Sequence, residues 1–448
     1  MDRGRLRALT ARERDRFRRT HQRSAALYED GRGSLVGGVP MSWMTMWAGG
    51  FPLFFTEASG ARLTDVDGHE YVDLCLGDTG AMAGHAPGPT VAAVERQARR
   101  GFTTMLPNED AAAVAGQLRR RFGLDRWQFA LTATDANRWA LRMARHLTGR
   151  RKVVVFSYCY HGSVDESFVV LEGGRPRSRP GNVGPAIDPT ETTEVVEFND
   201  PDALAKALTQ GEVACVLAEP ALTNIGIVLP EPGFHDALRE LTRASGTLLV
   251  IDETHTFSAG PGGCTRADRL EPDMLTIGKA IGGGVPVAAY GMTADLAERL
   301  LGSQDADLED TGGVGGTLAG NALSLAAARA TLEHVLGDEA FERMIGLAER
   351  HERAVNEVLR SRALPWHIVR LGARAEYRFT PQPPRTGGDA AAASDPELDA
   401  YVHLYLMNRG VLLTPFHNMA LMCPATTEAD VDRHTEVFAA AADELVSD

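Results

Sequence analysis

Four short stretches of the chain are apolar at nearly every position, and this feature restricts the possible folds most strongly. They are "VVVF" (153–156), "VACVLAE" (213–219), "TLLVID" (247–252) and "MLTIG" (274–278). A strand with one solvated face alternates apolar and polar residues, whereas a strand of a parallel sheet that is covered on both faces is apolar throughout. Helix-like stretches separate these runs between residues 90 and 330. The pattern predicts a doubly wound α/β domain there.

Reactive side chains stand at or just after the ends of these runs. They are Tyr160, Glu219, Asp252 and Lys279. In doubly wound sheets, ligands bind at the carboxyl ends of the strands. We therefore expect these four side chains, although distant in sequence, to converge on one edge of the sheet.

Lys279 is unusual among the basic residues, nearly all of which are arginine. The chain has three lysines, and Lys152 and Lys206 lie in polar surroundings that indicate surface positions. Lys279 follows an apolar run and precedes three glycines. Burial without a permanent partner lowers the pKa of a lysine and makes its amine nucleophilic. The alternative is a lysine at a strand end that extends its charge to solvent.

Composition excludes several classes of protein. The net charge of −14 over 448 residues argues against a general nucleic-acid binder. Nine arginines fall within residues 1–23, which we interpret as a solvated N-terminal helix, with an RNA or membrane contact as the alternative. We expect a cytoplasmic protein, because no signal peptide and no apolar stretch of membrane-spanning length is found. The five cysteines are scattered and lack CxxC spacing, so neither a disulfide framework nor a metal site is predicted.

Several motifs together carry a resemblance to a known family. They are, in chain order, "ARLTDVDGHEYVDL" (61–74), "GRRKVVVFSYCYHG" (149–162), "LAEP" (217–220), "LVIDETHT" (249–256), "IGKAIGGGVPVAAYG" (277–291) and "GGTLAGNALSLAAA" (315–328). With them the chain resembles the class III aminotransferases of the pyridoxal-phosphate fold type I superfamily. The similar branch is that of glutamate-1-semialdehyde aminomutase and the D-phenylglycine and β-amino-acid aminotransferases.

The resemblance implies an architecture. A large cofactor-binding domain with a mostly parallel, seven-stranded type of sheet spans residues 90–330, and a small α+β domain is formed by residues 35–89 and 331–448. Residues 1–34 are then an arginine-rich helical arm. Within the small domain, 61–74 has the pattern of a β-hairpin that turns at Asp67 and Gly68. The family also implies a homodimer with shared active sites.

The resemblance assigns roles at the strand ends. Lys279 forms the Schiff base with pyridoxal phosphate, Asp252 keeps the ring nitrogen protonated, and Tyr160 stacks on the ring. The segment 132–145 matches the helix N-terminus that binds the phosphate, and Thr317 matches a residue that reaches the phosphate of the neighbouring subunit. The implied cofactor-binding residues are Ala133, Thr134, Tyr160, His161, Glu219, Asp252, Thr254, His255, Lys279 and Thr317. For Glu219, a structural role at the strand end is the alternative.

Fewer sequence features indicate which residues contact the substrate. The family often places an arginine for the substrate carboxylate in the segment before the hairpin, but this chain has no arginine or lysine between Gly33 and Ala61 and supplies Trp43 instead. Asp78 follows the hairpin, and His417 with Asn418 falls where the family brings a loop to the pocket. We therefore predict an apolar and acidic pocket lined by Trp43, Asp78 and His417, with any substrate carboxylate bound by Arg374 or Arg378. Asp78 could instead hydrogen-bond a loop, and His417 could have only a packing role.

The predicted function is that of a pyridoxal-phosphate-dependent transaminase. It moves an amino group between an amine or amino acid and a keto or aldehyde acceptor, with pyridoxamine phosphate as the intermediate form of the cofactor. Lys279 acts as the base that moves the proton. The alternatives are an aminomutase or an amino-acid racemase or epimerase, which use the same residues, and a protein that keeps the fold without catalysis.

Overall fold

The computed structural model describes residues 2–302 and 315–446. Its strands are β1 (Phe55–Ser59), β2 (Arg62–Asp65), β3 (Glu70–Asp73), β4 (Arg126–Ala130), β5 (Lys152–Phe156), β6 (Val169–Glu172), β7 (Arg175–Ser178), β8 (Thr193–Val196), β9 (Val213–Ala218), β10 (Leu248–Asp252), β11 (Met274–Ile277), β12 (Ala288–Met292), β13 (His367–Leu371), β14 (Arg374–Arg378), β15 (Val411–Leu412) and β16 (Met419–Leu421).

The helices alternate with these strands through the middle of the chain. They are α1 (Arg3–Thr20), α2 (Gln22–Gly31), α3 (Gly88–Ala98), α4 (Glu109–Phe122), α5 (Ala133–Thr148), α6 (Pro201–Leu208), α7 (Phe234–Ser245), α8 (Gly263–Ala267), α9 (Ala294–Gly302), α10 (Ala322–His334), α11 (Asp338–Ser361), α12 (Gly387–Ala392), α13 (Pro396–Met407) and α14 (Glu428–Val446). None of the helices in the described ranges combines the length and the apolar character needed to cross a membrane.

The chain divides into two compact units. Unit 1 comprises Met1–Ala86, Glu342–Pro383 and Ala393–Asp448, and unit 2 comprises Pro87–Phe341 and Pro384–Ala392. The predicted domain boundaries (1–34, 35–89, 90–330 and 331–448) stay a prediction.

Unit 2 is built on a seven-stranded sheet in the order β4-β12-β11-β10-β9-β5-β8. β11, β10, β9, β5 and β8 run parallel to one another, and β12 runs antiparallel to both β11 and β4. β9 and β11 are buried at every position, as their continuous apolar sequences require. The predicted α/β class and mostly parallel sheet are therefore confirmed.

Helix α5 packs against this sheet, and its N-terminus is fixed by a capping residue. Thr132 caps the helix, because its hydroxyl accepts a hydrogen bond from Asp135 N at 3.1 Å. The face towards the sheet is rich in alanine and includes Ala136, Ala140 and Ala144, which lets the helix approach the strands closely. Gly149 ends the helix with a φ of 68°, a conformation that glycine adopts without strain.

Unit 1 contains two smaller sheets, β1-β2-β3-β15 and β13-β14-β16. The predicted hairpin is confirmed: β2 and β3 pair antiparallel with Thr64 opposite Glu70, and the connecting turn has Gly68 at a φ of 90°. β15 is added parallel to β3, although more than three hundred residues separate them in sequence. The apolar core beside this sheet includes Phe17, Tyr71 and Leu404.

Candidate active site

The reactive residues predicted at the strand ends lie at or next to the carboxyl ends of neighbouring strands in unit 2. Asp252 is the last residue of β10, Glu219 follows β9 directly, and Lys279 follows β11 after Gly278. Tyr160 lies in the loop after β5, and its N–H donates to Glu219 Oε1 at 3.1 Å. Because these strands are parallel and adjacent, the structure brings the residues to one edge of the sheet.

Asp252 is buried and accepts several hydrogen bonds. Its Oδ2 accepts from Asn137 Nδ2 at 2.8 Å and from His161 Nδ1 at 2.9 Å, and its Oδ1 accepts from Thr254 N at 3.0 Å. Burial by itself raises the pKa of Asp252, but the hydrogen bond and charge of His161 together with these other donors outweigh it and lower the pKa to about 2. The carboxylate therefore remains ionised in a site with almost no solvent exposure.

The imidazole ring of His161 contacts Asp252 through Nδ1. Burial lowers the pKa of His161, but the neighbouring Cys159 and Asp252 raise it well above its usual value. Its Nε2 is buried, and no described residue forms a hydrogen bond with it. The ring thus holds Asp252 through Nδ1.

Asn137 is a member of this cluster that sequence reasoning missed. Its Nδ2 also donates to His161 O at 3.1 Å, and its Oδ1 accepts from Thr276 Oγ1 in β11 at 2.6 Å. Asn137 therefore ties α5 to β10, β11 and the loop after β5. The sequence does contain a feature that could have identified Asn137: it is a polar residue on the alanine-rich face of α5, three positions before Ala140.

Glu219 binds the loop that carries Tyr160. Its Oε2 accepts from Thr223 Oγ1 at 2.5 Å, and its Oε1 accepts from the Tyr160 N–H. Burial raises the pKa of Glu219, although His161 and these hydrogen bonds oppose the shift. The contacts of Glu219 are thus those of a residue that positions the loop after β5.

Lys279 begins a short 3-10 turn, Lys279–Gly282, and has a φ of 49°, which is uncommon for a residue other than glycine. Its Nζ lies 2.7 Å from Nε2 of His255, three residues beyond the end of β10. A side chain at Gly278 would place its Cβ only 3.0 Å from the Cβ of Ala133. The lysine backbone therefore passes close to the N-terminus of α5.

The first turn of α5 carries Ala133 and Thr134. Thr134 Oγ1 accepts a hydrogen bond from Ser163 N at 3.1 Å. The loop can approach so closely because Gly162 has a φ of 74° and no side chain, whose Cβ would lie 2.1 Å from Thr134 Oγ1. Unpaired N–H groups and the positive end of the helix dipole make such a helix N-terminus suitable for a phosphate.

Thr317 lies in the turn that precedes α10, and its side chain is exposed. No contact of Thr317 with the residues at the strand ends is among those found in the described part of the chain, and its role stays a prediction.

The residues predicted to line the substrate pocket, Trp43, Asp78 and His417, lie in unit 1. Trp43 meets Phe416 edge to face with ring centroids 5.4 Å apart, and Phe416 meets His417 at 4.9 Å. Asp78 has a φ of 50°, and its N–H donates to Cys75 O at 3.0 Å. Unit 1 thus places Trp43 against Phe416, the sequence neighbour of His417, and the roles of Trp43, Asp78 and His417 towards a substrate stay a prediction.

Strand β14 carries several buried charges, and one of them, Glu376, lies beside His417. Glu376 Oε1 lies 3.4 Å from His417 Nδ1, and Arg374 has no exposed surface. Burial raises the pKa of Glu376, but His417, Arg378 and Arg374 reverse the shift and lower it. Asn418 bridges His403 and Asp399 with bonds of 2.9 and 2.7 Å. Arg374 and Arg378 therefore compensate Glu376 inside unit 1, and their predicted binding of a substrate carboxylate stays a prediction.

One further cluster in the described part of unit 1 has the residue types of a metal site. Potential ligand atoms of His21, Asp65 and His69 lie within 4.8 Å of one another. Asp65 Oδ2 already accepts from Tyr71 Oη at 2.7 Å and lies 3.1 Å from His69 Nδ1. The adjoining cavity, of about 330 Å³, is lined by several arginines, which disfavour a cation there.

The groups at the edge of the sheet fit pyridoxal phosphate. Asp252 offers a buried anion for a ring nitrogen, the N-terminus of α5 suits the phosphate, and Lys279 provides an amine. Buried polar atoms without a hydrogen-bond partner among the described residues, His161 Nε2 and Thr254 Oγ1, stand in the same cluster. The fold and these groups define a pyridoxal-phosphate-dependent enzyme of fold type I.

Comparison with known proteins identifies the family. Residues 44–441 match the family model "Aminotransferase class-III". The chain is 34% identical over 429 residues to glutamate-1-semialdehyde 2,1-aminomutase of Symbiobacterium thermophilum, which covers 93% of this chain and 96% of that protein. The chain therefore belongs to the class III aminotransferases, and the resemblance stated above is confirmed.

Solved structures agree with this assignment. A glutamate-1-semialdehyde aminomutase from Pseudomonas aeruginosa PAO1 has a TM-score of 0.97 and 50% identity, with 99% of each chain covered. A variant of that protein has been solved in complex with PMP. An omega-transaminase from Sphaerobacter thermophilus has a TM-score of 0.84 and 30% identity, with 94% of this chain and 97% of that chain covered. The protein is thus a class III transaminase-family enzyme whose cofactor is pyridoxal phosphate.

Proposed function

We propose that this enzyme transfers an amino group from an amine or amino acid to a keto or aldehyde acceptor, with Lys279 and Asp252 as its central residues. One observation carries the proposal: a buried, ionised carboxylate and a lysine amine lie at the ends of the neighbouring parallel strands β10 and β11. Both groups are required for cofactor-dependent proton transfer at the carbon that carries the amine.

Pyridoxal phosphate supplies an electron sink when its ring nitrogen is protonated. Asp252 maintains that protonation, because its carboxylate stays negative and is held in place by His161 and Asn137. Lys279 would bind the cofactor and, through its Nζ, take the proton from the substrate carbon and return it. Tyr160, Thr254 and His255 would hold the ring, and Ala133 and Thr134 at the start of α5 would hold the phosphate.

We also propose that the active form is a homodimer in which Thr317 completes the phosphate site of the partner. Thr317 and its sequence neighbour Leu318 are exposed, and so are Phe102, Met105 and Leu106 in a second segment. Ala322 N donates to Phe102 O at 3.0 Å, so the start of α10 contacts that second segment. Exposed large apolar side chains of this kind support an interface with a second copy of the chain.

We place the enzyme in the cytoplasm, as its five free and buried cysteines fit a reducing compartment. Cell fractionation tests this placement, and recovery outside the cytoplasm would contradict it.

An aminomutase is the second candidate, and the names of the relatives favour it. The relatives from Symbiobacterium thermophilum and Pseudomonas aeruginosa are both named as glutamate-1-semialdehyde aminomutases. An aminomutase rearranges one substrate and needs no separate amino acceptor. For either candidate, the absence of arginine and lysine between Gly33 and Ala61 favours a substrate that presents no carboxylate to this segment of the pocket.

The need for a keto acceptor distinguishes a transaminase from an aminomutase. Purified enzyme loaded with cofactor is incubated with a neutral amine, a diamine or an α-amino acid, with and without a keto acid, and separately with glutamate-1-semialdehyde alone. We expect amine consumption only when the keto acid is present, and the poorest rate with the α-amino acid because of Asp78. Lys279→Ala is the matched inactive control. Turnover of glutamate-1-semialdehyde alone, without turnover of any amine, would instead establish the aminomutase.

A further inference from the structure

Thr276 is the one polar residue of strand β11, which is buried at every position. Valine has the same shape as threonine, favours strands equally and carries no hydroxyl that must be withdrawn from water. A hydroxyl at this position therefore needs a hydrogen-bond partner within the protein. Its partner is Asn137 on helix α5, whose Oδ1 accepts from Thr276 Oγ1 at 2.6 Å.

Asn137 connects Thr276 with Asp252. The register of the parallel strands β10 and β11 places Asp252 directly opposite Thr276, so both side chains lie on the same face of the sheet. The amide spans the two, because its Nδ2 donates to Asp252 Oδ2 at 2.8 Å and also to His161 O at 3.1 Å. Neither Asn137 nor Thr276 has exposed surface. A buried chain of hydrogen bonds thus runs from Thr276 through Asn137 to Asp252.

This chain of hydrogen bonds has one consistent direction. The Asp252 carboxylate, which has a pKa of about 2, and the His161 carbonyl can only accept hydrogen bonds, so the amide must turn its NH2 group towards them. The amide oxygen then faces Thr276, whose hydroxyl is the donor that satisfies it. Without that hydroxyl, Asn137 Oδ1 would lose its donor inside the protein, and the amide would be held less firmly against Asp252.

We propose that Thr276 is a positioning residue for Asp252. Its hydroxyl holds the Asn137 amide, and the amide holds the Asp252 carboxylate at the place where it meets the ring nitrogen of pyridoxal phosphate. The role needs no contact between Thr276 and the cofactor and no proton transfer. The inference rests on the proposed role of Asp252 and adds the residue that acts on it through Asn137.

The test compares two ligands of the full-length protein from which the cofactor has been removed. One is pyridoxamine phosphate, and the other is its analogue with a C–H group in place of the ring nitrogen. Isothermal titration calorimetry gives the dissociation constant of each. The two ligands differ only at the atom that Asp252 is proposed to contact, so the ratio of their dissociation constants reports on that contact.

In Thr276→Val the hydroxyl is lost while the shape is kept. Pyridoxamine phosphate should then bind at least about fivefold more weakly, since the carboxylate is less well placed, and the analogue should bind within about twofold of the parent. Thr276→Ser keeps a hydroxyl and should bind both ligands within about twofold of the parent. The matched control is Thr242→Val, because the Thr242 hydroxyl is equally buried but donates within its own helix, to Leu238 O at 2.9 Å. It should leave both dissociation constants unchanged.

Equal weakening of both ligands by Thr276→Val would show a merely structural effect and overturn the inference, as would no weakening at all. If Thr276→Val does not fold, Thr276→Ala takes its place in the same comparison. A parent that binds both ligands equally would contradict the proposed role of Asp252 and the inference with it. A preference for pyridoxamine phosphate that survives the loss of the hydroxyl contradicts only the inference. Binding needs no turnover, so failure of acceptor-dependent transamination would appear only in the assay with amines and keto acids.

Discussion

At the scale of single residues, Asp252 illustrates a competition between burial and hydrogen bonding. Removal from water favours the neutral acid, while His161, Thr254 and Asn137 favour the anion, and the anion prevails with a pKa of about 2. Because the folded pKa lies below the ordinary value, this carboxylate stabilises the fold above about pH 4 and loses that effect as the pH falls towards 2. Asp252 is therefore fully charged near neutral pH, as its proposed role requires.

The first residue-scale prediction concerns Lys279. Borohydride reduction of the enzyme with bound cofactor should fix the cofactor covalently to Lys279, because this lysine lies at the edge of the sheet that carries Asp252. The other lysines are the controls in the same digest: Lys152 pairs with Glu194 at 2.7 Å, and Lys206 is exposed. Mass mapping of the adduct provides the measurement. An adduct at Lys152 or Lys206 would refute the assignment.

At the scale of elements, helix α1 is bound to its own unit by its arginines. Arg3 pairs with Asp395 at 2.6 Å, Arg12 pairs with Glu444, and Arg5 Nε donates to Glu444 O at 2.7 Å. A run of arginines predicts a helix but does not distinguish a solvated face from one that forms ion pairs. The partners are on α13, its preceding cap and α14, hundreds of residues away in sequence. In this structure, much of the positive charge is neutralised within unit 1.

Glu13 is the buried anion of this helix, and it supports the second prediction. Burial raises the pKa of Glu13, but Arg409, Asn408 and Arg12 outweigh it and lower the pKa to about 2. The folded pKa lies below the unfolded one, so its contribution is complete above about pH 4.5 and disappears as the pH falls towards 2. Glu13→Gln should therefore lower the free energy of unfolding by about 3 kcal/mol at pH 7, and by progressively less in acid.

Urea unfolding at pH 7 and in acid measures this effect. The control is Glu397→Gln, since Glu397 forms only exposed pairs with Arg3 and Arg7 and should cost at most about 1 kcal/mol. Equal destabilisation by the two substitutions would contradict the special role of Glu13.

At the scale of the whole molecule, the third prediction concerns the proposed homodimer. If Thr317 serves the site of the partner, each site combines Lys279 of one chain with Thr317 of the other. A heterodimer of Lys279→Ala and Thr317→Ala chains then contains one intact site and one doubly defective site. Random exchange of subunits should restore about a quarter of the sites.

Cofactor retention and transamination after subunit exchange measure this outcome. Thr317→Ala alone should retain cofactor more weakly than the parent, because one contact to the phosphate is lost. Mixtures of each variant with itself are the controls. If heterodimers form but neither retention nor activity rises above the controls, the cross-subunit role of Thr317 is wrong.

Much of unit 2 could be predicted from local sequence. Strands covered on both faces must be apolar throughout, so β5, β9, β10 and β11 were recognisable as buried parallel strands. Residues that follow such strands must lie at one edge, which predicted the neighbourhood of Asp252 and Lys279. The hairpin of β2 and β3 was equally local, because Asp67 and Gly68 suit its turn. The antiparallel β12 and the addition of β15 to β3 have no comparable local signal.

The amino-acid sequence by itself determined the class of fold, the family and the positions of the reactive side chains along the chain. Only the tertiary structure decided which side chains meet: Asn137 with Asp252, His255 with Lys279, and Glu13 with Arg409. Periodicity reports which face of a strand or helix is buried, and it does not report the register at which one element packs on another. Hydrogen bonds depend on that register to within a few tenths of an ångström, since they weaken steeply with distance and angle.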